Sequence, residues 1–326
     1  MTSQARPSNR ADIARLIGQF DRPGPRYTSY PTALEWKQKP SPTQADGLIK
    51  QNNDQRGDVP LSLYLHIPFC AKLCYYCACN KKITQRDSTV TRYLDVVYQE
   101  IEAWAARLGS GRRVVQIHWG GGTPTHLTPE QISEVSGAIS KAFEVSGDAE
   151  ISVEVHPAVT TRAHLQALRT AGFGRVSMGV QDFDPKVQEA VNRIQPFEQT
   201  RDLIEDARDL GYSSVNVDLI YGLPYQTLSG FSETLDRVED LRPERIALFN
   251  YAHMPSRQPG QRMIDEATLP PPDAKLDIFE SAILRFVSWG YQYIGMDHFA
   301  HPDDELSIAR YLFGNQESRV GRCQAR

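Results

Sequence analysis

The sequence predicts an α/β protein, an incomplete (β/α)6 barrel preceded by an irregular N-terminal segment. Three observations carry that prediction. From residue 60 onward, short β-rich runs alternate with longer amphipathic stretches, the pattern of parallel strands joined by right-handed crossover helices. Six such units within roughly 230 residues suit a barrel or part of one better than an open sheet. The composition, 40% hydrophobic, 23% charged and 9% aromatic, is that of a globular chain and excludes disordered, collagen-like and coiled-coil classes.

The predicted strands are LSLYLH (61–66), VVQIHW (114–119), EISVEV (150–155), RVSMGV (175–180), SVNVDLI (214–220) and RIALFN (245–250). Between them lie helical patterns such as TRYLDVVYQEIEAWAARL and FSETLDRVEDL. One helix has a complete start signal, with Thr128 as N-cap, Pro129 in the first helical position and Gln131 to close a capping box. Ahead of the strands, residues 1–58 are rich in proline, arginine and polar residues. Pro23, Pro25 and Pro31 prevent regular structure there. Tyr27 and Tyr30 make the segment too aromatic for a loose tail, so it is expected to cover the site. The expected division is 1–58 for this segment, 59–300 for the barrel and 301–326 for a divergent tail.

Charge excludes more than it suggests. Thirty-six Lys and Arg against forty Asp and Glu leave a net charge of −4, with no basic stripe, so nucleic acid is not an expected partner. A mean hydropathy of −0.46 and the absence of an apolar run near 18 residues argue against a membrane span. The first twenty residues hold no continuous apolar core of a secretory signal, so a cytoplasmic location is expected.

Four of the five cysteines fall within ten residues, at Cys70, Cys74, Cys77 and Cys79, while Cys323 stands alone and has no expected role. A disulfide framework would spread its cysteines along the chain, so the cluster points to metal. Structural zinc usually draws on two cysteine pairs a dozen or more residues apart. A single short loop suits an iron–sulfur cubane better, and three ligands would leave one iron open to a small molecule.

In a β/α barrel the working residues stand at the C-terminal ends of the strands. Those ends carry the cysteine loop, the glycine run Gly120-Gly121-Gly122 with Thr123, and then Glu154, Gln181, Asp218, Asn250 and Tyr251. Consecutive glycines let a ligand approach the backbone closely, although they equally mark a tight turn. Glu154 and Asp218 read equally as surface acids or as partners of ribose hydroxyls or an ammonium group. Arg193 either pairs with a ligand carboxylate or is solvated.

The motif C-x3-C-x2-C, with aromatic Tyr76 before the third cysteine, resembles the signature of the radical S-adenosylmethionine (SAM) superfamily. Further segments resemble one family within it, the oxygen-independent coproporphyrinogen III oxidases. They are PRYTSYPTA (25–33), YLHIPFCAKLCYYCACNK (64–81), HWGGGTPT (118–125), GFGRVSMGVQDF (172–183), VNR (191–193), NVDLIYGLPYQT (216–227), FNYAHMP (249–255) and GMDHFAHPDDEL (295–306). The resemblance implies a 4Fe-4S cluster on Cys70, Cys74 and Cys77, with Cys79 outside the ligand set. It implies two molecules of SAM, one touching Tyr64, Gly121 and Glu154. The other would touch Tyr76, Gly122, Thr123, Gln181, Arg193, Asp218 and Ala252. Tyr64 and His66 are the implied catalytic residues.

The implied reaction is anaerobic haem biosynthesis: oxidative decarboxylation of coproporphyrinogen III to protoporphyrinogen IX by a SAM-derived radical. The expected partners are that substrate, an electron donor and an electron acceptor, and the expected state is a monomer. Two alternatives stand beside it: a radical SAM haem chaperone, and a product that binds cluster and SAM without turnover. The RYTSYPTA segment and Cys79 count against the chaperone. His156 stands where the family pattern has aspartate. From about Tyr311 the sequence leaves the family pattern, so the expectation is a shortened or frameshifted form without the family's helical C-terminal domain.

Overall fold

A computed structural model of the chain describes Glu35 and residues 39–57, 59–109 and 112–314. Tyr27, Tyr30, Cys323 and the expected cover formed by the first 34 residues lie outside the described residues.

The chain runs α1 (Pro42–Arg56), β1 (Leu61–Ile67), β2 (Phe69–Cys70), β3 (Lys82–Ile83), α2 (Asp87–Leu108), β4 (Arg113–Gly121), α3 (Pro129–Ala142), β5 (Glu144–Val155) and α4 (Arg162–Thr170). It continues with β6 (Arg175–Gln181), α5 (Pro185–Ala190), α6 (Phe197–Asp209), β7 (Ser214–Tyr221), α7 (Leu228–Leu241), β8 (Arg245–Asn250), α8 (Pro272–Ser288), β9 (Gln292–Gly295), β10 (His298–Ala300) and α9 (Glu305–Gly314). The main sheet has the order β1-β4-β5-β6-β7-β8-β10-β9. Its first six strands are parallel and are the six predicted. β1 and β9 are the two edges and do not pair with each other, so the barrel is incomplete as expected.

Strand alternation divides the molecule in two. Ile117, Trp119, Val153, Val155, Val176, Met178, Val215, Val217, Leu219, Ile246 and Leu248 are buried in the main core. Leu94, Ile132, Val135, Leu165, Leu203, Leu235 and Phe286 of the flanking helices join them. The intervening residues, His118, Glu150, Ser152, Glu154, Arg175, Ser177, Asn216, Asp218 and Arg245, line a cavity of about 260 Å3 on the other face. Because successive side chains of a strand point to opposite faces, each strand packs a helix and furnishes the site at once. The capping box at Thr128 and Gln131 forms as predicted.

Three features differ from the sequence reading. Within the 1–58 stretch read as irregular, residues 42–56 form a helix. It starts from a Ser41–Gln44 capping box with Pro42 in its first turn, and it buries no residue. A helix with no buried stripe leaves no periodicity to read. Secondly, a β9–β10 hairpin extends the sheet antiparallel to β8. Its strands are too short to announce themselves, and its turn holds Met296 and Asp297 at φ +50° and +72°. Thirdly, residues 301–314 are no separate tail as far as Gly314. The Asp304 side chain is only 4% exposed and accepts from Arg245 Nε at 2.8 Å, with Arg175 Nη1 3.7 Å away. Arg175 and Arg245 of that ionic cluster also line the cavity. Among the described residues no helix is long and apolar enough to cross a membrane.

Candidate active site

The cysteine loop is held at its neck and along its length. β2 and β3 pair in parallel, Cys70 opposite Ile83, and Lys82 N donates to Pro68 O at 2.7 Å. Further along, Tyr75 N donates to Val191 O (3.0 Å) and Asn192 Nδ2 to Leu73 O (2.8 Å). Gln261 Nε2 donates to both Tyr76 O (3.1 Å) and Ala252 O (3.2 Å), tying the loop to the segment after β8. The loop is thus anchored before any ligand arrives.

The four cysteines are free thiols. The Cys70 sulfur lies 3.6 Å from Thr123 Oγ1, and Arg193 Nη1 donates to the Cys74 sulfur at 3.5 Å. Burial pushes the Cys70 thiol up. Cys77 is held down at about 6, chiefly by its hydrogen bond with Cys79 and further by Lys81, against the opposing effect of burial. Lys81 Nζ also donates to Cys77 O at 2.9 Å. A thiol lowered this far ionises near neutral pH, the form in which sulfur binds metal. Among the described residues no three His, Cys, Asp or Glu side chains converge as ligands of a single ion do. A cubane, whose irons are separate atoms, accepts more widely spaced sulfurs.

The glycine run makes room for three different neighbours. A Cβ on Gly120 would stand 3.1 Å from the Glu154 carboxylate. One on Gly121, whose φ is +120°, would stand 2.8 Å from the His66 ring. One on Gly122 would stand 2.6 Å from Pro68 O. The bare backbone at Gly120 lets the Glu154 carboxylate lie across β4, where Oε2 accepts from Gly121 N at 3.4 Å and Oε1 meets His118 Nε2 at 3.3 Å.

Next to this stands a chain of ring contacts. Tyr64 OH lies 3.0 Å from His66 Nδ1, and His66 Nε2 lies 2.8 Å from Asn80 O. A carbonyl only accepts, so His66 carries its proton on Nε2 and the Tyr64 hydroxyl donates to Nδ1. Tyr93 OH donates to His66 O from the helix side. Tyr64, His66, Gly121 and Glu154 therefore form one group.

The second group surrounds Arg193. Its Nη2 donates to Gly179 O, and its Nε is buried without a partner. A Cβ on Gly179 would fall 2.7 Å from Gln181 Nε2 and 2.8 Å from Arg193 Nη2, so this glycine leaves space for both side chains. Gln181 Oε1 is also buried and unpartnered. Burial raises the Tyr76 phenol, while Arg193 beside it acts the other way. His156 is kept neutral down to about pH 3, by burial first and by Arg193 second, so it adds no second positive charge beside that guanidinium.

Asp218 takes Ser177 Oγ at 3.0 Å and Asn216 Nδ2 at 2.6 Å. Burial still pushes it up to about 6, helped by the nearby Glu154 charge. Thr123 and Gly122 stand against the cysteine loop, and Ala252 joins through Gln261.

The donor set fits an iron–sulfur cluster and a small zwitterionic ligand. It offers three free thiols on an anchored loop, a buried guanidinium with an unused N–H, a half-buried backbone cradle and two carboxylates. Sequence reading passed over His118, Ser152, Ser177, Asn216 and Gln261. All but Gln261 sit at the polar positions of alternating strands, a period-2 signal visible in SVNVD and EISVE. Gln261 lies in a short 3-10 turn and leaves no such signal.

Comparison with known proteins identifies the family. The Radical SAM superfamily profile matches residues 64–238. The chain is 49% identical over 299 residues to the oxygen-independent coproporphyrinogen III oxidase of Escherichia coli strain K12, covering 92% of this chain and 64% of that one. It is 46% identical to the protein of that name from Synechocystis, covering 91% of this chain and 63% of the relative. The solved structure of coproporphyrinogen III oxidase from Escherichia coli, described as a radical SAM enzyme, superposes with a TM-score of 0.84 at 48% identity. That superposition covers 88% of this chain and 65% of the other. The chain thus spans a little under two thirds of the length of the relatives it matches.

Proposed function

The chain belongs to the radical SAM superfamily, and from that premise we propose that it serves anaerobic haem biosynthesis by oxidative decarboxylation of coproporphyrinogen III to protoporphyrinogen IX. The observation that carries the reading is the convergence on one rim of the anchored loop of Cys70, Cys74 and Cys77, the Gly120–Gly122 cradle and the buried Arg193. Identity near one half to coproporphyrinogen III oxidases supports the choice of substrate.

Cys70, Cys74 and Cys77 would hold the 4Fe-4S cluster, which together with SAM supplies a carbon-centred radical when bound. The residues of this chain then bind, orient and shield. Glu154 would take the amino end of one SAM, with the Gly121 backbone and Tyr64 beside it. Tyr76, Gly122, Thr123, Gln181, Arg193, Asp218 and the Ala252 backbone would surround a second. The unused Arg193 Nε–H and the Gln181 Oε1 are a buried donor and a buried acceptor. His66 receives the Tyr64 proton through its hydrogen bond, which fixes the phenol at the site. Loss of a hydrogen and of carbon dioxide from each propionate leaves one electron, which requires an acceptor, and cluster reduction requires a donor. The reaction would take place in the cytoplasm.

The test is anaerobic. The chain is reconstituted with iron and sulfide, then given SAM, reductant and coproporphyrinogen III. Formation of 5′-deoxyadenosine with release of carbon dioxide is expected. Deoxyadenosine without carbon dioxide would overturn the decarboxylase reading and leave SAM cleavage. Iron uptake equal in the parent and in Cys74→Ala would overturn both.

A further inference from the structure

His118 has no role in the reading above, yet it touches two members of the first group, Tyr64 and Glu154. It pairs across β1 and β4 with Tyr64 and across β4 and β5 with Ser152, so the three side chains stand abreast on the cavity face. Its ring stacks on Tyr64, centroids 5.9 Å apart and planes at 19°. Nδ1 lies 2.8 Å from Ser152 Oγ, and Nε2 lies 3.3 Å from Glu154 Oε1. An ionised carboxylate only accepts, so Nε2 carries a proton, and in the neutral ring Nδ1 accepts from the Ser152 hydroxyl. The result is a directed chain: Ser152 O–H to His118 Nδ1, His118 Nε2–H to Glu154 Oε1, and Gly121 N–H to Glu154 Oε2. Gly120, being bare, leaves the carboxylate room to lie against β4 between these two donors.

We propose that His118 is a positioning residue for SAM. It holds the Glu154 carboxylate in place through Nε2–H and the Tyr64 ring in place through stacking, with Ser152 setting its tautomer. The proposal rests on the reading that Glu154 contacts SAM. Two variants separate the contacts. His118→Phe keeps the stacked ring and loses both hydrogen bonds, while His118→Gln retains an N–H near the Nε2 position.

Two measurements decide it. Nitrogen-15 NMR of histidine-labelled, unloaded chain should find His118 protonated on Nε2, with that preference weakened in Ser152→Ala. Equilibrium dialysis of SAM against anaerobically reconstituted protein should find Kd raised roughly tenfold in His118→Phe, the effect of one hydrogen bond to a charged group. His118→Gln should stay within about threefold of the parent on the same reasoning, and all three proteins should carry equal iron. A proton on Nδ1, a His118→Phe Kd equal to the parent's, or a His118→Gln Kd as weak as that of His118→Phe would overturn this proposal alone. A parent that takes up iron and binds no SAM would overturn the functional reading and this one with it.

Discussion

Arg193 Nη1 donates to the Cys74 sulfur at 3.5 Å, joining the loop after β1 to the segment after α5 across 119 residues of sequence. The same guanidinium holds Gly179 O through Nη2. Its planar fork serves two acceptors at once and leaves Nε–H over, which an ammonium cannot reproduce. Arg193→Lys is therefore expected to lower 5′-deoxyadenosine formation by roughly 10- to 100-fold while iron content stays at the parent level. Gly179→Ala should give the same defect, because its methyl would stand 2.8 Å from Nη2. Full activity in Gly179→Ala would show that the position of Arg193 does not matter.

The three consecutive glycines are not equivalent. At Gly121 a methyl meets the His66 ring at 2.8 Å and the backbone has φ +120°. Both the overpacking and the backbone strain oppose alanine, so Gly121→Ala should cost roughly 2–4 kcal/mol of stability. At Gly120 the obstacle is only the Glu154 carboxylate, the far end of a side chain that can swing away. Gly120→Ala should cost under about 1 kcal/mol and weaken SAM binding instead. Denaturant titration of the two variants, with dialysis of SAM on the second, distinguishes them.

The six parallel strands and the rim they build are legible in the sequence because each strand carries its own apolar set, such as Val215, Val217 and Leu219, between turn signals. The cysteine spacing and the glycine run are legible because their chemistry is local. The pairing of Cys74 with Arg193 and the bridging of Tyr76 to Ala252 by Gln261 are not. Both depend on which loops the barrel brings together, and no periodicity encodes that. α1 escapes for the opposite reason: its signal is a capping box at Ser41 without any buried face behind it. Asp304 reads as a surface acid in a charged run, yet its neighbours are Arg245 and Arg175, from strands 59 and 129 positions earlier.

That buried acid leads to a stability prediction. Asp304 lies between two guanidiniums, and its Oδ1 also accepts from Leu306 N at 2.8 Å, capping α9. Asp304→Ala leaves both largely buried arginines without that carboxylate, with Glu150 and Glu305 remaining near Arg175. Removing one partner of a buried pair costs more than the pair contributes, so a loss of roughly 3–5 kcal/mol is expected. Asp304→Asn keeps the cap acceptor and should lose less. Equal losses in the two variants would assign the whole effect to the lost charge and none to the cap.

Asp218 links pH to stability and to binding in opposite directions. Its pKa is about 6 in the folded chain, raised mainly by burial, against about 3.9 in an unfolded one. Between those values the folded state holds the proton more often than the unfolded state, so stability falls as pH rises through that window. Below about pH 4 both states are protonated, and above about pH 6 the full cost of burying the charge is present. The stability of the parent minus that of Asp218→Asn should thus drop by up to about 3 kcal/mol between pH 4 and pH 7. Ligand binding should move the other way. A ribose hydroxyl or an ammonium group is held better by the carboxylate than by the neutral acid, so SAM binding to the reconstituted parent should tighten as pH rises through about 6. Asp218→Asn should show no such step. A step of equal size in the variant would assign the titration to a group other than Asp218.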